Sequence, residues 1–398
     1  MKNTNTNTHT ARNLYRRFNY VESERIYREL FYENKDAFER DDNVYFLQCI
    51  NEICIKNNYS SIDLEEQAKF VFENFSQEDC SNRNFRDPYA EIFINIAKIY
   101  NEKHNYYKAI DWIWKLNRNF LTTHNPRINS KAFGYSLKEK WYSFIIESLM
   151  GLEKYDGALQ FADEAMEKLP DSKSDAKLFI TYKSAKAHYQ LGNYEDSLDI
   201  LNDIVKVKKE SYVYTAMARN YYGLEKYDEA LSYAVKAALA NRSVQNNLGT
   251  YLLIGELLDK KDMKDEANNH YYLVYTYKKA NNHRIDSNLC QIIQNAGLDM
   301  ENTNYRKVQK ELIPLWNELK YENMIRYSGT IKKVFEEKGI GFISNDFDSN
   351  DTFFSFRDFK SSEDFIYPGT KVSFYIEETF DKSKGRESTK AVEIEAIY

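Results

Sequence analysis

The sequence reads YDGAL at residues 155–159, YEDSL at 194–198 and YDEAL at 227–231. The last two copies begin 33 residues apart, at Tyr194 and Tyr227. Weaker copies are YYKAI at 106–110 and KDEA at 264–267. A period in the low thirties is typical of a solenoid of helical hairpins, in which each hairpin buries its apolar side against its neighbours. We therefore predict an α-helical repeat array.

Each copy is expected to open the second helix of a hairpin. A small residue is then needed where the two helices cross, and the copies provide Ala109, Ala158, Ser197, Ala230 and Ala267. The first helices show matching apolar faces, as in the i, i+3, i+4, i+7 set Tyr214, Met217, Ala218 and Tyr221. Only 13 Gly and 5 Pro occur in 398 residues, which also favours helices joined by short turns.

This pattern resembles the tetratricopeptide repeat family over residues 90–280, with five units and an inserted loop near 117–136. Residues 1–89 are interpreted as divergent N-terminal helical repeats or a cap, and residues 281–326 as C-terminal capping helices. The resemblance implies a concave groove that binds a protein partner. The residues expected to face the groove are Tyr182, Lys186 and Tyr189 in one unit and Tyr212, Arg219 and Tyr222 in the next. Ordinary packing between repeats is the alternative role for them.

The pattern changes near Tyr327, where short alternating runs replace the helical spacing. Five strands are predicted within about 70 residues, at 329–335, 339–345, 351–356, 371–377 and 389–397. Five short strands without a helix fit a small closed β-barrel. The predicted fold class is therefore an α-helical repeat solenoid followed, at residues 327–398, by an all-β five-stranded OB-fold barrel.

Two segments of this region resemble the ribonucleoprotein motifs of the cold-shock family: KGIGFI at 338–343 and DTFFSF at 351–356. GTIK at 329–332 and YPGTKVSF at 367–374 also match in order and spacing. The resemblance implies that Phe342, Phe353 and Phe356 lie exposed together and stack on bases of single-stranded RNA or DNA, with Ile340 and Ser355 on the same faces. The neighbouring cations Lys332, Lys333 and Lys338 would support binding. Gly339 and Gly341 would let the strand bend and the bases approach.

Three positions depart from the cold-shock pattern. The family usually has Trp where this chain has Lys333, an aromatic residue at Ile340 and His at Ser355. Residues 327–398 carry 10 Lys and Arg against 14 Asp and Glu, a net charge of 10 − 14 = −4, which weakens attraction to phosphate. The alternative is a barrel that contacts protein, with its Phe residues covered by the helices.

The remaining composition excludes several function classes. The net charge of −6 argues against a wholly electrostatic nucleic-acid binder. The sequence shows no catalytic motif and no His or Cys pair at metal-ligand spacing, so we expect no enzyme activity, metal or other cofactor. We expect a cytosolic, non-catalytic adaptor that joins a protein partner to single-stranded nucleic acid. The alternative function is a pure interaction scaffold, or a regulatory or sensor subunit, whose barrel is a docking module.

Overall fold

The computed structural model describes residues 2–56, 61–80, 87–130, 132–171, 173–322, 324–381 and 386–397. The chain forms two compact units, Met1–Lys209 and Glu210–Tyr398. The first consists of helical hairpins, and the second combines helical hairpins with a closed β-barrel. The predicted fold class, helical repeats followed by a five-stranded barrel, is confirmed.

The helices of the first unit are α1 (Lys2–Arg16), α2 (Tyr20–Asn34), α3 (Arg40–Lys56), α4 (Ser61–Asn74), α5 (Gln77–Cys80), α6 (Pro88–Glu102), α7 (Tyr106–Ile113), α8 (Leu137–Gly151), α9 (Tyr155–Lys168), α10 (Ala176–Gln190) and α11 (Tyr194–Val207). The repeated phrases open α7, α9 and α11, as predicted. Their small residues Ala109, Ala158 and Ser197 are fully or almost fully buried, which allows close helix crossings. After the loop that follows α7, helix α8 begins with a capping box. In it the side chains of Ser136 and Glu139 each form a hydrogen bond with the other residue's backbone N–H.

The helices of the second unit are α12 (Ser211–Gly223), α13 (Tyr227–Ala240), α14 (Val244–Lys260), α15 (Lys264–Ala280), α16 (Ser287–Asn295) and α17 (Tyr305–Tyr321). The repeated phrases open α13 and α15. In α17, Pro314 lies inside one continuous helix and does not restart it. Pro314 is exposed, so its ring meets solvent on the outer side of α17.

A buried indole fixes α17 to the hairpins beneath it. Trp316 is fully buried and stacks on Tyr251 of α14, with ring centroids 5.4 Å apart and ring planes 6° from parallel. Its Nε1 donates a 2.8 Å hydrogen bond to Nε2 of His270 in α15. Nδ1 of His270 lies 2.7 Å from the backbone oxygen of Glu266, so the neutral ring satisfies both neighbours. Burial lowers the pKa of His270 to about 4.

The barrel strands are β1 (Tyr327–Phe335), β2 (Ile340–Asn345), β3 (Asp351–Ser355), β4 (Lys371–Asp381) and β5 (Arg386–Ala396). They close in the order β1-β2-β3-β5-β4, with β4 returning to β1. All neighbouring pairs are antiparallel except β3 with β5. The core is filled by Ile331, Ile343, Phe354, Val372, Phe374, Ala391 and Ile394.

The two glycines of the first motif have local structural roles. Gly339 ends a 3₁₀ turn with a φ of 62°, a left-handed conformation that favours glycine. Gly341 is buried, and a Cβ there would lie 2.4 Å from the ring of Phe354. Gly341 therefore makes room for a core phenylalanine. The expectation that it opens space for a base is wrong.

Candidate nucleic-acid interface on the barrel

Three phenylalanine rings form a row on the outer face of β1, β2 and β3. Phe342 and Phe353 lie directly opposite each other in the β2–β3 register, with ring centroids 5.9 Å apart. Phe335 at the end of β1 adds a third ring, 6.3 Å from Phe342. All three are only partly buried. We call Phe335, Phe342 and Phe353 the aromatic row.

A lysine stands at each side of this row. Lys333 is the β1 neighbour of Phe342, and Lys390 of β5 is the neighbour of Phe353. The Lys333 ammonium lies 4.7 Å from the centroid of Phe335, a cation–π distance. A single line of neighbours therefore crosses four adjacent strands, in the order Lys333, Phe342, Phe353 and Lys390. The two phenylalanine rings lie between the two lysines.

The other predicted lysines are placed differently. Lys332 occupies an irregularity in the β1 register and forms a 2.8 Å ion pair with Asp351. Lys338 is exposed in the 3₁₀ turn before β2. Lys390 itself lies 3.5 Å from Asp358 and 3.8 Å from Glu377. Acidic neighbours therefore partly neutralise the cations around the row.

Ile340 and Ser355 are paired in register, and Ile340 is also opposite Phe335 on β1. Both residues border the aromatic row, where the sequence places them. Phe356 does not: its ring stacks on the fully buried Phe354 and packs against the barrel core. The expected exposure of Phe356 beside Phe342 and Phe353 is therefore corrected. Phe356 begins the 3₁₀ turn that follows β3, so the alternation that turns Phe353 outward does not extend to it.

Sequence reasoning missed Phe335 and Lys390. The signal for Phe335 was available, because it follows Lys333 by two residues and therefore points to the same face of β1. Lys390 could not be found in this way. Its position next to Phe353 depends on the parallel pairing of β3 with β5, which joins residues far apart in the chain.

A second outer face of the barrel, on β4 and β5, is covered by the chain itself. Tyr321 at the end of α17 stacks on Tyr375, with centroids 4.8 Å apart and ring planes 13° from parallel. The Arg326 guanidinium lies 4.8 Å from the ring centroid of Tyr375. Arg326 also forms a 2.9 Å ion pair with Glu395. We call this contact between α17, Arg326 and β4–β5 the anchored face.

Glu377 is the polar centre of the anchored face. Its carboxylate accepts hydrogen bonds from Lys320 and, at 2.8 Å, from the Tyr321 hydroxyl. Burial raises the pKa of Glu377, but Lys320, Tyr321 and Lys390 together outweigh burial and hold the pKa below its ordinary value. The end of α17, at Lys320 and Tyr321, therefore contacts β4, and the aromatic row on β1–β3 remains partly exposed.

The predicted groove residues of the first unit lie on α10. Lys186 is exposed, and Tyr182 and Tyr189 are partly buried. Tyr189 packs against Tyr194 of α11, with centroids 5.6 Å apart. Lys183, one turn before Lys186, lies 4.9 Å from the Phe179 ring. The first helix of this hairpin therefore presents tyrosines and lysines together.

In the second unit, Tyr212 and Arg219 are exposed on α12, and Tyr222 is partly buried. Tyr222 packs against Tyr227 at 5.6 Å, at the turn of its hairpin. Arg219 reaches α14, where a Cβ on Gly249 would lie 3.1 Å from its Nη2 atom. Tyr222 thus takes part in local packing, whereas Tyr212 and Arg219 face outward.

Within the part of the chain that the structure describes, no group of three or more His, Cys, Asp or Glu side chains is arranged to hold a metal ion. None of the described helices is both long and apolar enough to cross a membrane.

Residues 178–313 match a family described as a domain of unknown function (DUF7017). This segment begins in α10 and ends in α17. No curated protein matches the chain.

Solved structures with similar folds include MamA from Desulfovibrio magneticus RS-1, at 14% identity and a TM-score of 0.37, covering 48% of this chain and 96% of that one. A tetratricopeptide repeat protein from Parabacteroides merdae has 14% identity and a TM-score of 0.39, covering 75% and 100%. A Rap protein complexed with Competence and Sporulation Factor has 13% identity and a TM-score of 0.39, covering 81% and 93%. At these scores, no function is transferred to this chain.

Proposed function

We propose that this protein is a non-catalytic adaptor whose barrel binds short single-stranded RNA or DNA on the aromatic row and whose helical repeats bind a protein partner. The observation that carries the first part is the line of Lys333, Phe342, Phe353 and Lys390 on the barrel's outer face. Rings that lie partly exposed between cations suit a ligand made of planar bases and phosphates.

The chemistry of the row sets the strength of this binding. Stacking on a protein ring contributes about 1–3 kcal/mol per base and depends little on base identity, because every base has a π face. The cations add little, since Lys332 is paired with Asp351 and Lys390 lies near Asp358 and Glu377. We therefore expect weak binding with little sequence preference and a shallow dependence on salt.

The protein partner is assigned to the first helices of the repeats. Exposed Lys186, Tyr212 and Arg219, with partly buried Tyr182, provide the aromatic and cationic side chains that are enriched at binding hot spots. Tyr189 and Tyr222 pack at the hairpin turns and have a supporting role. We place the adaptor in the cytoplasm.

The test is fluorescence anisotropy of labelled single-stranded oligonucleotides with the full chain in low salt. Phe342→Ala and Phe353→Ala should each weaken binding about fivefold or more, which corresponds to the lower end of the stacking range. Tyr367→Ala is the matched control, because Tyr367 is an exposed ring at a barrel turn away from the row. It should leave binding unchanged.

A second candidate is a pure interaction scaffold in which the barrel docks protein. The anchored face favours it, because there the same barrel already binds a protein segment through stacked rings and ion pairs. If no oligonucleotide binds at high protein concentration in low salt, or if the Phe substitutions behave like Tyr367→Ala, this second function replaces the first.

A further inference from the structure

A cavity of about 460 Å³ lies in the first unit, where α2 and α4 end near the start of α3. Ligand pockets in proteins commonly have volumes of about 300–1,000 Å³, so a small molecule fits here. The cavity is separate from the groove residues of α10 and from the barrel. Its lining includes Lys35, Asp36, Phe38, Asn43, Glu73 and Phe75.

Two phenylalanine rings belong to the lining, and a third ring holds them in place. Phe31 is buried and stacks on Phe38 and on Phe75, with ring centroids 5.7 Å and 5.2 Å apart. Phe75 also packs against the fully buried Phe46, at 5.9 Å. Phe38 and Phe75 themselves are only partly buried. Both rings are therefore fixed before a ligand arrives, which lowers the entropy cost of binding one.

The charged part of the lining is mostly negative. Asp36 and Glu73 are exposed, and no Lys, Arg or His among the described residues forms an ion pair with either of them. Lys35 is the one basic residue in the described lining, and its Nζ lies 5.4 Å from the ring centroid of Phe31. One lysine against two carboxylates gives the lining a formal charge of 1 − 2 = −1. The cavity therefore favours a cation over an anion.

Two helix ends strengthen this preference. Both α2 and α4 end at the cavity, since Lys35 directly follows α2 and Asn74 is the last residue of α4. A helix C-terminus carries the negative end of the helix dipole and is stabilised by a nearby cation. Neither helix has a basic residue in its last turn. A bound ammonium or guanidinium group would supply positive charge at both ends.

Two asparagines at the cavity have unused hydrogen-bonding capacity. Asn43 is partly buried on α3, and its side-chain amide has no hydrogen-bond partner within the described part of the chain. Asn74 donates from Nδ2 to the backbone oxygen of Phe70 at 2.9 Å, which leaves its Oδ1 without a partner among the described residues. Amide oxygens accept hydrogen bonds, and ammonium and guanidinium groups are pure donors.

We propose that this cavity binds a small organic cation, one that carries an ammonium or guanidinium group on a planar or apolar body. Asp36 and Glu73 pair with the positive group, and Asn43 accepts a hydrogen bond from it. Phe38 and Phe75 hold the body of the ligand and attract the charge through their π faces. The site lies wholly in the first unit and does not depend on the barrel or on the function proposed above.

The test is isothermal titration calorimetry of the full chain with three probes of similar shape. Tryptamine is a cation, ethylindole lacks the amine, and indolepropionate is an anion. Tryptamine should bind at least tenfold more tightly than either of the other two probes. Equal binding of tryptamine and ethylindole would overturn the proposal, because the positive charge would then not be recognised. Absence of binding for both tryptamine and agmatine, a guanidinium probe, at millimolar concentration would also overturn it.

Asp36→Asn with Glu73→Gln should weaken tryptamine binding about tenfold, because both carboxylates lose their charge with little change in shape. Glu195→Gln with Asp199→Asn is the matched control, since it neutralises two exposed carboxylates on α11 that do not line the cavity. The control should alter binding less than twofold. Equal effects of the two double changes would overturn the proposal, because tryptamine would then respond only to the negative charge of the whole chain.

Phe38→Leu separates the ring from the charge. Leucine keeps an apolar side chain but removes the π face, so tryptamine binding should fall about fivefold. Asn43→Ala serves if Phe38→Leu is poorly folded, because the Asn43 amide has no hydrogen-bond partner in the described chain whose loss would destabilise the fold. It should weaken binding about threefold at unchanged urea stability. Unchanged affinity in both variants would place tryptamine elsewhere and overturn the assignment of this cavity.

Discussion

The barrel has two outer faces of similar chemistry with different neighbours. The anchored face on β4–β5 carries Tyr375 and Glu377, and α17 covers it with Tyr321 and Lys320. The aromatic row on β1–β3 carries Phe342 and Phe353, and no helix among the described residues covers them in this way. Rings and cations occur on both faces, but within the described part of the chain only the anchored face is contacted by a helix.

The two faces contribute differently to the protein. On the anchored face the rings stack almost parallel, a carboxylate is hydrogen-bonded, and the barrel is attached to the last helix. On the aromatic row the rings meet edge to face and keep part of their surface in solvent. Stability should therefore depend on the anchored face, and ligand binding on the aromatic row. Substitutions can test this division.

The largest effect is expected for Trp316→Ala, which undermines the anchored face by loosening α17. Loss of a fully buried tryptophan costs about 3–5 kcal/mol of unfolding free energy, here including the stack on Tyr251 and the hydrogen bond to His270. Urea unfolding monitored by circular dichroism measures it. Trp316→Phe keeps a ring on Tyr251 and should lose clearly less. Equal, small losses for both variants would mean that this indole does not hold α17.

Glu377→Gln removes the charge at the centre of the anchored face and leaves Lys320 without its carboxylate. Hydrogen bonds to charged groups contribute about 1.5–3 kcal/mol, so we expect a loss of about 2 kcal/mol in unfolding free energy. Because the folded-state pKa of Glu377 is lowered, this stabilisation is present above the ordinary glutamate pKa and is lost as pH falls through the folded value.

The matched control for Glu377 is Glu395→Gln. Glu395 pairs with Arg326 at 2.9 Å but is more than half exposed, and exposed pairs contribute little. Equal effects at the two positions would contradict the central role of Glu377.

The contact of His270 with Trp316 should also make the stability of the protein depend on pH. The folded-state pKa of His270, about 4, lies below the ordinary histidine value, so between these pH values the unfolded chain binds a proton that the folded chain does not. Unfolding free energy should therefore fall by about 2 kcal/mol from pH 7 to pH 5. In His270→Gln, which carries no charge at any pH, the decrease should largely disappear. A pH dependence that survives this substitution would assign the effect to other groups.

The smallest effect concerns the aromatic row, and it separates Phe335 from Phe356. Phe335→Ala should weaken oligonucleotide binding by about 1 kcal/mol, the lower end for a stacked base, with little loss of stability. Phe356→Ala should do the reverse, because its ring packs on the core beside Phe354. Anisotropy and urea unfolding on the same two variants decide the point. Reduced binding for Phe356→Ala alone would return Phe356 to the ligand surface.

The helical part of the fold could be predicted because short sequence phrases mark where its helices begin. The phrases at Tyr155, Tyr194 and Tyr227 open helices at those residues, and their small residues are buried at the crossings. The five strands were predictable for the same reason, since alternation within each strand is visible in the sequence. Each pattern is visible in residues a few positions apart, and the helical one is also repeated at a spacing of 33 residues between Tyr194 and Tyr227.

The candidate site was only partly predictable. Phe342 and Phe353 follow from strand alternation, whereas the packing of Phe356 on Phe354 depends on the 3₁₀ turn that follows β3. The position of Lys390 beside Phe353 depends on a parallel strand pair, and the contact of Tyr321 with Tyr375 depends on how α17 meets the barrel. Long-range contacts of this kind leave no periodic signal in the sequence.

The strand order has a consequence for synthesis on the ribosome. Closure of the barrel requires β5, which lies between β3 and β4 although it is made last of the five. Until β5 leaves the exit tunnel, Phe354 and Val372 lack their β5 core neighbours Ala391 and Ile394. The helical hairpins need only local contacts and can form during translation, whereas the nascent barrel stays open and exposed to aggregation or chaperones until its final strand arrives.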